Sequence, residues 1–169
     1  MDVIEIKDLS PYFQQLTGLL QDCVDDGASI GFLPPLSRVD AEAYWQDVAQ
    51  ALGEHRKLWI ACEGEQLLGT VQLALCGKEN GAHRAEIEKL MVNTNARGRG
   101  AGKALMLAAE TYCQQIARHL LVLDTREGDV ASSLYRKLGY TEVGRIPQFA
   151  LNATGELDAT VYFYKLLSQ

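Results

Sequence analysis

Leu90-Met91-Val92-Asn93-Thr94-Asn95-Ala96-Arg97-Gly98-Arg99-Gly100-Ala101-Gly102-Lys103 reads as the end of an apolar strand, a basic glycine-rich turn and the start of a helix. A junction of this kind is an anion site. The first N–H groups of a helix lack internal acceptors and the macrodipole is positive there, so a pyrophosphate can take those donors. Gly98, Gly100 and Gly102 let the backbone approach phosphate oxygens closely and tolerate positive φ, and Arg97, Arg99 and Lys103 add charge. Capping alone does not call for three glycines interleaved with three cations. A P-loop would need glycine where Arg97 stands and Ser or Thr where Ala104 stands. A dinucleotide fingerprint would need glycine at Lys103 or at Leu105.

The flanks of this junction set the periodicity of the chain. Arg84, Glu86 and Glu88 alternate with Ala85, Ile87 and Lys89, which predicts a strand over 84–92 with both glutamates on one face. Downstream, Ala104, Leu105, Ala108, Ala109, Tyr112 and Ile116 predict a helix from Gly100 to about Arg118. Leu120 to Leu123 is a continuous apolar run, expected to be a central strand buried on both faces and ending at Asp124. A helix from Val130 to Lys137, closed by Gly139, and strands near 140–145 and 160–165 come next. Upstream, a short strand over 3–7 precedes Ser10-Pro11, read as a cap and a first-turn proline for a helix reaching Gly27. The stretch from Gly27 to Pro35 breaks any period and reads as a loop. A second helix is expected from about Asp40 to Gly53, then a hairpin of strands 58–62 and 67–75 turning at Glu63-Gly64-Glu65.

Length and composition bound the classes. The chain has 169 residues, 47% hydrophobic and 22% charged, which suits one globular domain spanning 1–169. A net charge of −6 argues against general nucleic-acid binding but leaves room for a local basic patch. Met1 to Glu5 has no basic or apolar signal-like character and no apolar run nears about 18 residues, so the expected address is the cytoplasm, with no membrane partner. Cys23, Cys62, Cys76 and Cys113 are scattered without metal-ligand spacing, and His55, His83 and His119 form no cluster, so no metal is expected.

As Arg-x-x-Gly-x-Gly, residues Arg97, Gly100 and Gly102 resemble the coenzyme A signature of the GNAT superfamily of N-acetyltransferases. Ala131-Ser132-Ser133-Leu134-Tyr135-Arg136-Lys137-Leu138-Gly139-Tyr140 is similar to that superfamily's second signature, a helix bearing a tyrosine before Gly-aromatic. Gly27-Ala28-Ser29, Gly31-Phe32, Arg84-Ala85-Glu86, Lys89 to Val92, Ala96 to Gly100, Leu123-Asp124-Thr125 and Tyr162-Phe163 are similar to the tabtoxin-resistance acetyltransferase branch. The resemblance implies an α/β (α+β) GNAT fold, a mixed central sheet of about six to seven strands flanked by about four helices. It also implies acetyl-coenzyme A as co-substrate, its pantetheine arm paired with Leu90, Met91 and Val92 and its pyrophosphate held by Arg97, Gly98, Arg99, Gly100, Ala101, Gly102 and Lys103. Where the superfamily often carries asparagine seven residues before the tyrosine, this chain has Gly128.

Acetyl transfer to an amine needs a neutral nucleophile, a polarised carbonyl and a proton for the leaving thiolate. The resemblance assigns the proton donor to Tyr135 and the carbonyl contact to the N–H of Met91 or Val92. Asp124, at the carboxyl end of a strand, is the candidate base, with Glu86 and Glu88 as competitors. Phe32 and Tyr162 are candidate acceptor walls, and Arg84 could grip a substrate carboxylate bidentately. Three functions stay open: acetylation of a small amino-acid-like or peptide-like amine, acetylation of a protein lysine or N-terminus, and a non-catalytic acyl-coenzyme A sensor. A homodimer is compatible with the superfamily.

Overall fold

The computed structural model describes residues 1–168. Its elements run β1 (Asp2–Glu5), α1 (Phe13–Asp25), α2 (Arg38–Ala51), β2 (Arg56–Glu63), β3 (Gln66–Leu75), β4 (Arg84–Val92), α3 (Ala101–Gln115), β5 (Leu120–Arg126), α4 (Ala131–Lys137), β6 (Thr141–Leu151) and β7 (Leu157–Leu166). The strands form one mixed sheet in the order β1-β2-β3-β4-β5-β7-β6. All neighbours are antiparallel except β4 and β5, the pair joined through the α3 crossover. This is the mixed α/β architecture expected from the sequence.

Each face of the sheet carries its own core. On one side α3 lays Leu105, Met106, Ala109 and Cys113 against Val71, Leu73, Ile87, Leu121 and Phe163. On the other, α1 and α2 pack Leu16, Leu20, Val24 and Trp45 against Leu58, Ile60 and Met91. The apolar spacing in α1 puts Leu16, Leu19, Leu20, Cys23 and Val24 on one buried stripe, each large side chain contributing about 1.5–3 kcal/mol relative to exposure.

Several boundaries differ from the sequence reading. Ser10 is not a side-chain cap; Ser10 to Tyr12 form a 3-10 turn whose first N–H bonds Asp8 Oδ1 at 2.9 Å, and α1 begins at Phe13. The helix α2 starts two residues early because Ser37 Oγ accepts from the Asp40 N–H. Ala117, at φ 60, breaks the helical course, so α3 stops at Gln115. In β5 only Leu121 and Leu123 are buried, while Leu120 and Val122 are half-buried, and the strand runs on through Asp124 to Arg126. β6 continues past Arg145 to Leu151 despite Pro147, which an edge strand tolerates, with register shifts absorbing the irregularity.

Two features of β4 disturb the regular sheet. It pairs with β5 only at Arg84, Ala85 and Glu86, after which the two strands part. Against β3, Gln72 faces Glu88 and Thr70 faces Met91, so β4 carries one residue more than its partner over that interval. The surplus is a bulge with Lys89 at φ 54.

Candidate active site

The parting of β4 from β5 opens a cleft of about 1000 Å³. Beyond Glu86 the cleft-side backbone groups of β4 have no strand partner. A Cβ on Gly69 would lie 2.6 Å from the Met91 carbonyl, so that carbonyl points to β3. Asn93 also turns to β3, donating its N–H to the Leu68 carbonyl at 2.7 Å. By alternation the N–H and C=O of Val92 point the other way, and Cys23 Sγ meets the Val92 carbonyl at 3.4 Å there.

The turn after β4 is fastened from a distant helix. Asp22 on α1 accepts from the Thr94 N–H at 2.9 Å and from the Thr94 hydroxyl at 2.8 Å. Gly98 and Gly100 stand at φ 79 and 85, values that favour glycine, and Gly100 caps α3. Nothing lies within 4 Å of where their Cβ atoms would be, so the backbone there is open to a ligand. A Cβ on Gly102 would sit 3.3 Å from Leu134 Cδ2, which lets the first turn of α3 press against α4. Arg97 lines the cleft while pairing with Asp26 at 2.8 Å, and Lys103 lines it with no side-chain partner among the described residues. Arg99 instead turns to Glu63, at 2.8 Å, outside the cleft lining. An unpaired strand edge leading to an open helix N-terminus suits an elongated ligand with amides at one end and a diphosphate at the other.

Tyr135, on α4, is buried in the α3-side core and reaches the cleft. Its hydroxyl has no hydrogen-bond partner among the described residues. Burial, reinforced by Asp129 and Asp124, pushes it well above the ordinary phenol range, so it stays protonated at neutral pH.

Asp124 faces the α1–α2 side, opposite Tyr162 in the β5–β7 register. The Thr160 hydroxyl donates to Asp124 Oδ2 at 2.7 Å, orienting the carboxylate. Glu86 and Glu88 share that side, as alternation predicts, but their environments differ. Arg56 Nη1 pairs with Glu88 at 2.7 Å and also donates to Gln72, whose amide donates to the Tyr44 hydroxyl. Glu86 makes no ion pair among the described residues; burial, then Glu88 and Asp124, hold its carboxyl above the usual range against the opposing charges of Arg56 and Lys89. Tyr162 is raised by burial, then by Asp124 and Glu86.

Two candidates lie apart from this group. Arg84 sits at the opposite end of β4, its guanidinium 3.4 Å from Cys76 Sγ and against Gly81, so it does not reach the cleft. Phe32 packs edge-on against Tyr44, 5.5 Å between centroids, and lines a small neighbouring recess rather than the main cleft. The structure adds residues that sequence reading missed. Arg126 donates to the Gly27 carbonyl at 2.8 Å and ties the α1–α2 loop over the site. Continuing the alternation two residues past Asp124 would have found it, and the same period links Thr160 to Tyr162. Asp22 carried no local signal, since Thr94 is 72 positions away.

Known proteins match this arrangement. The acetyltransferase (GNAT) family matches residues 19–140, more than half of the chain. Mycothiol acetyltransferase of Pseudarthrobacter chlorophenolicus is 42% identical over 65 residues, a stretch covering 37% of this chain and only 20% of that protein. In fold, the ribosomal-protein-alanine N-acetyltransferase of Brucella melitensis superposes with a TM-score of 0.80 at 19% identity, over 99% of this chain and 100% of that one. The yncA protein of Salmonella typhimurium, solved with its cofactor acetyl-CoA, gives 0.78 at 17% identity, over 100% and 96%. With both signatures on the cleft, the chain belongs to the acetyltransferase (GNAT) family.

Proposed function

We propose that this chain, acting in the cytoplasm as one domain over 1–169, transfers the acetyl group of acetyl-coenzyme A to the primary amine of a small amino-acid-like or peptide-like acceptor. Attack is direct, in a ternary complex. The observation that carries this reading is the two-sided cleft: a protonated Tyr135 enters from the α4 side, while Asp124, Glu86 and Tyr162 face it from the α1–α2 side.

Bound acetyl-coenzyme A supplies an activated acetyl group as its thioester. The free edge of β4 and the N-terminus of α3 hold that molecule through Leu90 to Val92, Arg97, Gly98 and Gly100 to Lys103, while Arg99, turned to Glu63, stays outside. The Val92 N–H, directed into the cleft, polarises the carbonyl, which favours Val92 over Met91 for this role. Asp124 or Glu86 takes a proton from the acceptor ammonium, and Glu88, tied to Arg56, is the weaker competitor. Tyr135 donates a hydrogen bond, then its proton, to the departing sulfur.

The resemblance to the tabtoxin-resistance branch extends this reading to detoxification of a toxin or antibiotic. Incubating the chain with acetyl-coenzyme A and a mixed pool of small amines, and weighing products by mass spectrometry, tests it. Acetylated small amines are expected. Modification of peptides alone would favour a protein acetyltransferase, and cofactor uptake without any product would favour a sensor.

A further inference from the structure

We propose that the acceptor carries a carboxylate beside its amine and that Lys89 binds it, a specificity that rests on the acetyl-transfer reading. Strict alternation along β4 would send Lys89 to the α3 side with Ile87. The bulge prevents this. With φ at 54, a backbone conformation that a residue with a side chain rarely adopts, Lys89 turns so that its Nζ would lie 3.9 Å from a Cβ on Gly31 in the α1–α2 loop. That is the side on which Glu88 meets Arg56 and Asp124 meets Thr160.

Three of the other cations around the cleft are committed. Arg97 pairs with Asp26, Arg56 with Glu88, and Arg126 donates to the Gly27 carbonyl. Lys103 stands in the first turn of α3, at the phosphate end. Lys89 is therefore the acceptor-side cation without a partner among the described residues. On the same side Glu86 and Asp124 are carboxylates in no ion pair among the described residues, with Lys89 near enough to lower the Glu86 pKa. One unpaired ammonium facing two such carboxylates complements a zwitterion, whose amine lies at Asp124 and Glu86 and whose carboxylate lies at Lys89. A simple polyamine would instead bring like charge against Lys89. Arg84, the sequence candidate for this task, is at the far end of the strand.

The test compares acceptors matched in side chain: the common amino acids, their α-amides and their decarboxylated amines, with wild type and Lys89→Met. For amino acids, kcat/KM is expected to fall about 10- to 100-fold in Lys89→Met, mostly through KM, the loss of one charged hydrogen bond. For amides and decarboxylated amines it should stay within about twofold, and Lys89→Arg should restore much of the amino-acid rate. Calorimetry should show unchanged acetyl-coenzyme A affinity in both variants, which establishes that they fold. If wild type and Lys89→Met acetylate all three acceptor classes alike, or if Lys89→Met loses activity on all three alike while wild type keeps it, the carboxylate subsite is overturned and the acetyltransferase reading stands. If wild type binds acetyl-coenzyme A but acetylates nothing in the panel, the carboxylate subsite and the small amino-acid-like acceptor are overturned together.

Discussion

Thr94 gives both its backbone N–H and its hydroxyl to the Asp22 carboxylate, at 2.9 and 2.8 Å, so the turn that precedes α3 is held by a helix from the opposite side of the sheet. The turn proposed to cradle the diphosphate is thus anchored by Asp22 from the side proposed to take the acceptor.

Removing that anchor should loosen the cradle. Asp22→Ala leaves two donors without their acceptor, and each such loss costs about 1–3 kcal/mol when the donor is shielded from water. Calorimetry is expected to show acetyl-coenzyme A binding weakened about tenfold, with a lower Tm. Unchanged affinity would mean that the turn holds its shape without Asp22.

Tyr135→Phe removes the hydroxyl but keeps the ring against Phe163 and Tyr140, at centroid distances of 6.0 Å. Stability and cofactor affinity should hardly change. Turnover should fall about 100-fold, the range for a lost general acid. A kcat equal to wild type would remove Tyr135 from the chemistry.

Glu86 links stability to pH. Burial, with Glu88 and Asp124, raises its carboxyl in the folded chain, so the folded state binds this proton more tightly than the unfolded state. Its contribution is fully favourable below the unfolded glutamate range and is lost as pH rises through the folded value. Glu86→Gln should therefore raise Tm at pH 7 by about 2 °C and leave it nearly unchanged below about pH 4. The same variant, beside Asp124→Asn, also separates the two candidate bases. The one whose loss abolishes the acid limb of the kcat/KM profile is the proton acceptor, and a limb retained in both variants would exclude both.

Lys165 Nζ lies 2.6 Å from Glu110 Oε1, and the Tyr140 hydroxyl donates to the other Glu110 oxygen at 3.3 Å. Glu110 is only 5% exposed. Lys165→Met would strand that carboxylate and should cost about 3 kcal/mol in denaturant unfolding. Adding Glu110→Gln should recover most of it. Equal stability of Lys165→Met and wild type would mean that Glu110 becomes neutral or hydrated at little cost.

What could be read from the chain was local. Period-two alternation gave β4 its limits of Arg84 and Val92, and the glycines, cations and helical period downstream gave the cradle and α3, because those signals lie within a few residues of each other. Tyr135 and Asp124 were legible through motif and strand end. The ion pairs were not, because Arg56 meets Glu88 and Arg97 meets Asp26 only once distant strands and helices are packed. The same holds for Lys89: alternation assigned it to the wrong face, and only the surplus residue of β4 against β3 turned it into the cleft. By itself the sequence determined the elements and the glycine-rich turn that opens α3, since short-range sterics require no partner. Only the tertiary structure decided which charges are neutralised and which stay free for an acceptor, because that depends on pairing across the sheet.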